Sequence, residues 1–302
     1  KNAEPLGEPQ LRAIKRRIIE TECADLLEFA EVDRTLDAVI GLDEAKAWLR
    51  EDARLLREGR TGSLPMGYLV CGRIGTGKTF LATSWSGEIG IPCVVLKNFR
   101  DKWQGSTEGN LEKIFNVLHA LGQVLVFVDE ADQATGKRGN ESSDGGLSGR
   151  VYAMLAKEMS DTRNRGKILW VFATSRPDLL EVDLKRPGRL DVKIKLDRPD
   201  RDGAAEILAR YLTAETPLNT AGREPEEFRS ALVTAIVDRL YARSEENRFI
   251  EVTYAGGDRE VLYVADFVSG AMLAGVVGRA KKAAIKDLID GGERGVRLDH
   301  VL

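Results

Sequence analysis

Eight consecutive residues, Gly72-Arg73-Ile74-Gly75-Thr76-Gly77-Lys78-Thr79, carry the spacing G-x4-G-K-T, which is suited to holding a phosphate chain. Gly72, Gly75 and Gly77 let successive backbone N–H groups turn toward an anion, and a helix opening at this point adds its partial positive charge. Lys78 supplies a cation to β- and γ-phosphates, and the Thr79 hydroxyl is a ligand for Mg2+. Thr76 and Phe80 complete the candidate nucleotide-binding set. A second pattern lies fifty residues on, where the apolar run 124–128 stops at Asp129-Glu130. Carboxylates at the C-terminal end of a buried strand lie where open α/β sheets bind ligands. Asp129 is placed to hold Mg2+ through water, and Glu130 to orient and polarise an attacking water. The expected chemistry is hydrolysis of ATP to ADP and phosphate with Mg2+.

The elements needed to position these groups are legible around them. Short β-rich runs at 68–71, 93–96, 124–128, 167–173 and 192–196 alternate with helical stretches at 79–88, 111–120 and 147–160. Such alternation predicts a parallel sheet covered by helices on both faces, the α/β fold of a P-loop NTPase. The loop 136–149 is rich in Gly and Ser. Beyond Pro199 the chain is mostly helical, with helices expected at 204–214, 228–242 and 269–289. A hairpin is expected over 248–264, turning at Ala255-Gly256-Gly257-Asp258. Residues 11–30 show Leu11, Ile14, Ile18, Ile19, Leu26 and Leu27 at helical spacing under Arg12, Lys15, Arg16 and Arg17. They predict an amphipathic helix with a solvated basic face. The resulting division is an N-terminal linker helix (1–34), a large ATPase domain (35–198) and a small helical lid carrying the hairpin (199–302).

Composition narrows the classes. The 302 residues are 43% hydrophobic and 31% charged, with only nine prolines, as in an ordinary globular protein. A formal charge of −3 argues against nucleic acid as a partner. Apolar runs stay far below the roughly 18–20 residues needed to cross a bilayer. Cys23, Cys71 and Cys93 form no CxxC pair, which fits a reducing compartment and a cytoplasmic location. The chain does not begin with Met, which fits a piece of something longer. His119 and His300 have neither metal-ligand spacing nor a nucleophile beside them, and read as structural.

With both phosphate-site motifs placed, residues 35–300 resemble an AAA+ ATPase of the AAA clade. Leu184-Lys185-Arg186-Pro187-Gly188-Arg189-Leu190-Asp191 resembles that clade's second region of homology. The resemblance implies that Arg186 and Arg189 reach the nucleotide of a neighbouring subunit. Phe172-Ala173-Thr174-Ser175-Arg176-Pro177-Asp178 resembles the strand end bearing the polar sensor, with Ser175 where the clade has Asn. A hydroxyl reaches less far than an amide, so water is expected to be held less firmly. Ser269-Gly270-Ala271 resembles the start of the lid helix, which implies adenine contacts from Gly270 and Ala271 and, from the large domain, Val39, Ile40 and Gly41. From Arg176 onward the likeness narrows to actinobacterial-type proteasome-associated ATPases, through 186–200, 241–254 and 266–286. The coiled-coil and OB regions of those proteins have no counterpart here, and the end at 297–302 resembles no proteasome-docking tail.

Lys102-Trp103-Gln104-Gly105 resembles the pore loop of the clade in its Trp form, as in ATPases that sever or disassemble filaments. An aromatic on a short loop offers a large, sequence-tolerant surface to a polypeptide, and glycine lets the loop move. The resemblance implies a homo-oligomeric, hexameric ring that uses ATP to translocate, unfold or extract polypeptides through a central pore. Remodelling of a complex without threading is the alternative, and a nucleic-acid-acting ATPase is disfavoured by the acidic balance.

Overall fold

A computed structural model describes residues 23, 25–97, 107–134, 147–180 and 182–301. The basic residues Arg12, Lys15, Arg16 and Arg17, the pore-loop candidates Lys102, Trp103, Gln104 and Gly105, and residues 136–146 of the Gly/Ser-rich loop lie outside these. The chain divides into two compact units, Lys1–Arg73 with Lys78–Leu196, and Ile74–Gly77 with Asp197–Leu302.

The first unit is built on six strands: β1 (Leu27–Phe29), β2 (Gly67–Gly72), β3 (Cys93–Leu96), β4 (Val124–Val128), β5 (Ile168–Thr174) and β6 (Val192–Leu196). They run in the order β1-β3-β4-β5-β2-β6, all pairs parallel except β1 with β3. The helices are α1 (Asp43–Arg57), α2 (Lys78–Ile89), α3 (Thr107–Leu121), the short α4 (Ala131–Ala134) and α5 (Leu147–Ser160).

Every residue of β4 and β5 is buried, because both faces of the sheet are covered. Strands so placed read as continuous apolar runs rather than as alternation. Their side chains still divide by the strand period. Val124, Val126, Ile168, Trp170 and Phe172 join a core completed by α3 and α5. Leu125, Phe127, Leu169 and Val171 join the opposite core, completed by α1 and α2. At the β6 edge the pattern opens, with Lys193 and Lys195 exposed between buried Ile194 and Leu196. Lysines on an edge strand discourage further pairing.

Helix α1 was not foreseen, and it braces the element that carries the phosphate loop. The Trp85 indole of α2 donates to the Leu49 carbonyl of α1 at 2.8 Å, and the Tyr68 hydroxyl of β2 donates to Asp52 Oδ2 at 2.8 Å. The Tyr68 and Trp85 rings meet edge to face, 4.6 Å between centroids. Burial raises the Asp52 carboxyl above its ordinary range despite the Tyr68 hydrogen bond.

The helix expected over 11–30 does not reach its end, since Leu27–Phe29 is a strand antiparallel to β3. Leu27 and Phe29 are buried and Glu28 is exposed, a period of two rather than 3.6. The physical reason is the open edge of β3, whose backbone groups need partners. Ala30 N–H donates to the Cys93 carbonyl and Lys97 N–H to the Leu26 carbonyl, closing that edge. The expected linker helix therefore gives up its last residues to the sheet.

The second unit contains α6 (Arg201–Tyr211), α7 (Pro225–Tyr241), the hairpin strands β7 (Arg248–Thr253) and β8 (Arg259–Tyr263), and α8 (Gly270–Ile289). Leu208, Leu232, Ile236, Leu273 and Val277 form its core. Caps set the helix starts. Asp200 accepts from Gly203 N–H, Pro225 occupies the first turn of α7, and Ser269 accepts from Met272 N–H. The expected helix 204–214 begins three residues earlier, at the Asp200 cap, and ends at Tyr211 because Leu212 leaves helical geometry. The hairpin turns as its Gly content requires. Gly257 takes φ +90°, its N–H donates to Tyr254 O, and Tyr254 N–H donates to Asp258 O.

Candidate active site

Strands β4, β5 and β2 are consecutive and parallel, with Val128 opposite Phe172 and Cys71 opposite Thr174. Their C-terminal ends therefore stand side by side. One ends in Asp129-Glu130, the next in Thr174-Ser175, and the third in Gly72 at the start of the phosphate loop. Three sequence segments more than forty residues apart converge on one edge of the first unit.

Lys78 and Thr79 open α2. The Lys78 ammonium donates to the carbonyls of Gly72 at 2.9 Å and Arg73 at 3.1 Å, which holds it across the base of its own loop. Thr79 Oγ1 lies 3.5 Å from Asp129 Oδ2. At this separation the Thr79 hydroxyl can bind a Mg2+ directly while Asp129 accepts from one of the waters that such an ion keeps, so the pair fits the expected hard cation. The donor set, a hydroxyl and a carboxylate, is also the chemistry Mg2+ prefers. Among the described residues no three His, Cys, Asp or Glu gather as an all-protein metal cage. Asp129 has a second task, since its Oδ1 accepts from Glu130 N–H at 2.8 Å.

Glu130 sits at φ +46°, in the left-handed region that residues with a Cβ avoid. Such a conformation costs of order 1–3 kcal/mol and collects at functional positions. Here it lets the strand turn at once into α4 while Asp129 and Glu130 stay at the sheet edge.

Ile74–Gly77, the rest of the phosphate loop, packs within the second unit. Gly75 and Gly77 take φ +80° and +93°. A Cβ on Gly75 would stand 2.8 Å from Ser269 Oγ and 3.1 Å from Ala271 Cβ, so only glycine fits. Ala271 N–H donates to Gly75 O at 3.2 Å, and Gly270 opens α8 beside it. The candidate adenine contacts Gly270 and Ala271 are thus joined to Gly75 within one unit. In the first unit Val39 is buried, Ile40 is half-buried and Gly41 takes φ +66°, with Lys46 Nζ donating to Val39 O at 3.1 Å. The Phe80 side chain packs on the α1–α2 core, its ring 4.9 Å from the Arg34 guanidinium, so any phosphate contact there comes from the backbone. Thr76 is half-buried.

Arg186 and Arg189 hang on a loop between two fully buried leucines, Leu184 and Leu190. Asp191 fixes that loop to the foot of β2. Its carboxylate accepts from Gly188 N–H at 2.6 Å and from Met66 N–H at 2.9 Å. Arg186 pairs with Asp183 at 3.1 Å, both exposed, while Arg189 Nε donates to Ser160 Oγ at 3.0 Å. Neither arginine is brought to the Lys78–Asp129 group of its own chain among the contacts of the described residues. The anchoring role of Asp191 was missed from the sequence, although the residue stands in the quoted motif. Its signal would have been a carboxylate three residues past the glycine of a Pro-Gly turn, where free N–H groups need acceptors.

Ser175 is half-buried directly beyond β5, between the two other strand ends. Asp132 is the other residue the sequence did not reveal. It lies beneath the site, its side chain only 7% exposed, and accepts from the Thr174 hydroxyl at 2.6 Å. The histidines make local pairs, His119 with Glu158 at 2.6 Å and His300 with Asp287 at 3.1 Å. Burial pushes the Cys93 thiol up to about 12, far from reactivity.

Two family profiles match this chain from residue 68 onward, that of the "ATPase family associated with various cellular activities (AAA)" over residues 68–198 and that of the "ARC, AAA+ ATPase lid domain" over 199–302. The chain belongs to the AAA+ ATPase family. The region matched by the AAA profile carries strands β2 to β6 of the sheet, all paired in parallel. A curated relative from Thermobifida fusca, named proteasome-associated ATPase, is 33% identical over 99% of this chain and 58% of its own length. Relatives of the same name from Kineococcus radiotolerans and Acidimicrobium ferrooxidans are 36% and 38% identical over 79% of this chain and 45% of their own lengths. The chain thus spans about half the length of the curated relatives it matches. Among the described residues no helix is long and apolar enough to cross a membrane.

The serine at the end of β5 predicts a modest kinetic effect in this AAA+ site. Ser175→Ala is expected to lower ATP turnover by about tenfold or less, the worth of one well-aligned hydrogen bond, with little change in ATP affinity. Ser175→Asn should preserve or raise turnover. Steady-state phosphate release from the two variants checks this, and a parent-like Ser175→Ala would leave the residue a mere strand end.

Proposed function

We propose that the chain hydrolyses ATP with Mg2+, works as a homo-hexameric ring, and uses the energy to translocate, unfold or extract polypeptides. The observation that carries the reading is the side-by-side placement of the β2, β5 and β4 ends, with Lys78, Thr79, Asp129, Glu130 and Ser175 gathered there. Lys78 balances charge on the β- and γ-phosphoryl oxygens, and Thr79 with Asp129 holds the cation. Bound Mg2+ would neutralise further charge on the same oxygens. Glu130 accepts a hydrogen bond from the attacking water and polarises it, while Ser175 steadies that water. Arg186 and Arg189 serve the nucleotide of a neighbouring subunit, which their exposed loop supports. The adenine-facing roles of Val39, Ile40, Gly41, Gly270 and Ala271 rest on the family likeness.

The curated relatives, named for association with a proteasome, support a polypeptide as the substrate class. A cytoplasmic location and the exclusion of nucleic acid rest on the acidic balance and the absence of a CxxC pair. The mechanical part is tested at Trp103, which is expected to grip the polypeptide with Lys102, Gln104 and Gly105. Trp103→Ala should abolish unfolding of a tagged fluorescent protein while basal ATP hydrolysis stays within about twofold of the parent, since the substitution removes an aromatic grip and leaves every phosphate-site residue in place. Undiminished unfolding by the variant would replace threading with remodelling from outside the pore.

A further inference from the structure

The strongest unassigned cluster lies under the site. Asp132 stands two residues beyond Glu130, in the short helix α4, with a side chain 7% exposed. A carboxylate so buried has to be satisfied by donors. One is Thr174, itself fully buried, whose hydroxyl donates to Asp132 Oδ1 at 2.6 Å. The same hydroxyl oxygen accepts from the Arg176 backbone N–H at 2.9 Å. A third tie is the Arg176 guanidinium, whose Nε approaches Asp132 Oδ2 at 3.8 Å. Ser175 lies between the two residues so held. Its peptide is therefore pinned on the N-terminal side by the Thr174 side chain and on the C-terminal side by the Arg176 amide and guanidinium.

The other end of the link is the strained turn. Asp132 follows Glu130, whose φ of +46° has to be maintained by what surrounds it. Thr174 and Asp132 are 42 residues apart and belong to neighbouring strand ends, β5 and β4. We propose that Asp132 and Thr174 form a positioning pair that sets the Glu130 carboxylate and the Ser175 hydroxyl in register, so that both meet the same water. Asp132 touches no phosphate in this scheme and acts only through its neighbours. A hydroxyl rather than a methyl is required at position 174, because it must donate to Asp132 and accept from Arg176 at once.

This inference rests on the proposed hydrolytic site, and the tests keep the two separable. Thr174→Val removes the shared hydroxyl at nearly constant volume, Thr174→Ser retains it, and Asp132→Asn removes the charge. Thr174→Val and Asp132→Asn are expected to lower kcat about ten- to hundredfold while ATP affinity, read by equilibrium titration, stays within about threefold. Thr174→Ser should turn over like the parent. In the double variant the loss should not exceed that of the worse single one, because both act on one link. Parent-like kcat in Thr174→Val, or losses that multiply in the double variant, would overturn the pairing. Equal losses of kcat and of affinity would also overturn it, as they indicate a general loosening of the fold. Should Asp132→Asn fail to fold, the contrast between Thr174→Ser and Thr174→Val decides alone. Glu130→Gln is the control for the underlying reading. If it hydrolyses ATP normally the site assignment fails, whereas an inactive Glu130→Gln beside a fully active Thr174→Val removes only the positioning pair.

Discussion

Glu130→Gln is expected to bind ATP with parental affinity and to hydrolyse it at least about a hundredfold more slowly, while Lys78→Ala is expected to fail at binding itself. The two variants separate because their side chains act on different atoms. Lys78 is anchored at the base of the loop by the Gly72 and Arg73 carbonyls, and in the proposed site its cation is the main balance to phosphate charge. Removing it leaves the nucleotide's negative charge uncovered. Glu130 contributes no cradle contact. Its proposed role is to polarise water, and general-base groups contribute roughly 10²–10⁴ in rate. Gln keeps the size and the backbone of Glu, so the positive-φ turn and the Asp129 hydrogen bond to its N–H survive. Asp129 and Thr79 are untouched and still hold the cation. ATP titration together with steady-state phosphate release measures both quantities. Turnover near the parental value in Glu130→Gln would end the assignment of this carboxylate.

Arg186→Ala and Arg189→Ala are each expected to reduce turnover in assembled rings by up to about 10³–10⁵, the range for NTPases completed by an arginine supplied in trans. ATP binding should change little. The loop leaves Arg186 exposed, while Arg189 is half-buried and has to release the Ser160 hydroxyl and the Asp183 carbonyl to reach a neighbour. Leu184 and Leu190 hold its ends in the core, and Asp191 ties it to β2. The Arg186–Asp183 pair is exposed on both sides, and surface pairs of this kind are worth too little to keep an arginine from a phosphoryl group. If the arginines act across a subunit boundary, turnover per chain rises steeply with protein concentration until rings form. Mixing Glu130→Gln with Arg186→Ala subunits should then restore activity, because some boundaries pair an intact Glu130 with an intact Arg186. A concentration-independent rate in a demonstrably monomeric sample, or no recovery on mixing, would place catalysis within a single chain.

The parts of this protein that were readable in advance are those whose physics is local. The phosphate loop announces itself because three glycines, a lysine and a threonine must be close in sequence to surround one anion, and Gly75 and Gly77 indeed take positive φ. The strands 93–96, 124–128 and 192–196 were legible to the residue, since an unbroken apolar run or a two-residue period is a property of the segment alone. The hairpin was legible from its Gly-Gly turn. The segment at 27–29 was misread as helix because an edge strand is defined by the neighbour it pairs with, here β3, and not by its own period. Helix α1 was missed although it carries the Leu49 and Asp52 contacts that brace β2 and α2.

At the site, the sequence by itself determined which groups can bind phosphate and cation and which can polarise water, because their types and spacing are chemical requirements. The family likeness added Ser175, the two arginines and the pore loop. Only the tertiary structure decided which of these stand together. The order β4-β5-β2 sets the Ser175 segment between the carboxylates and the phosphate loop, where the family likeness puts it, whereas local periodicity does not encode strand order because that arises from crossovers. It alone also revealed Asp132 beneath Thr174, and Asp191 beneath the arginine loop. A carboxylate that ties distant segments together is recognisable only when its donors are known, and here they arrive from residues 42 and 125 positions away, to the buried side chain of Asp132 and to the exposed Asp191.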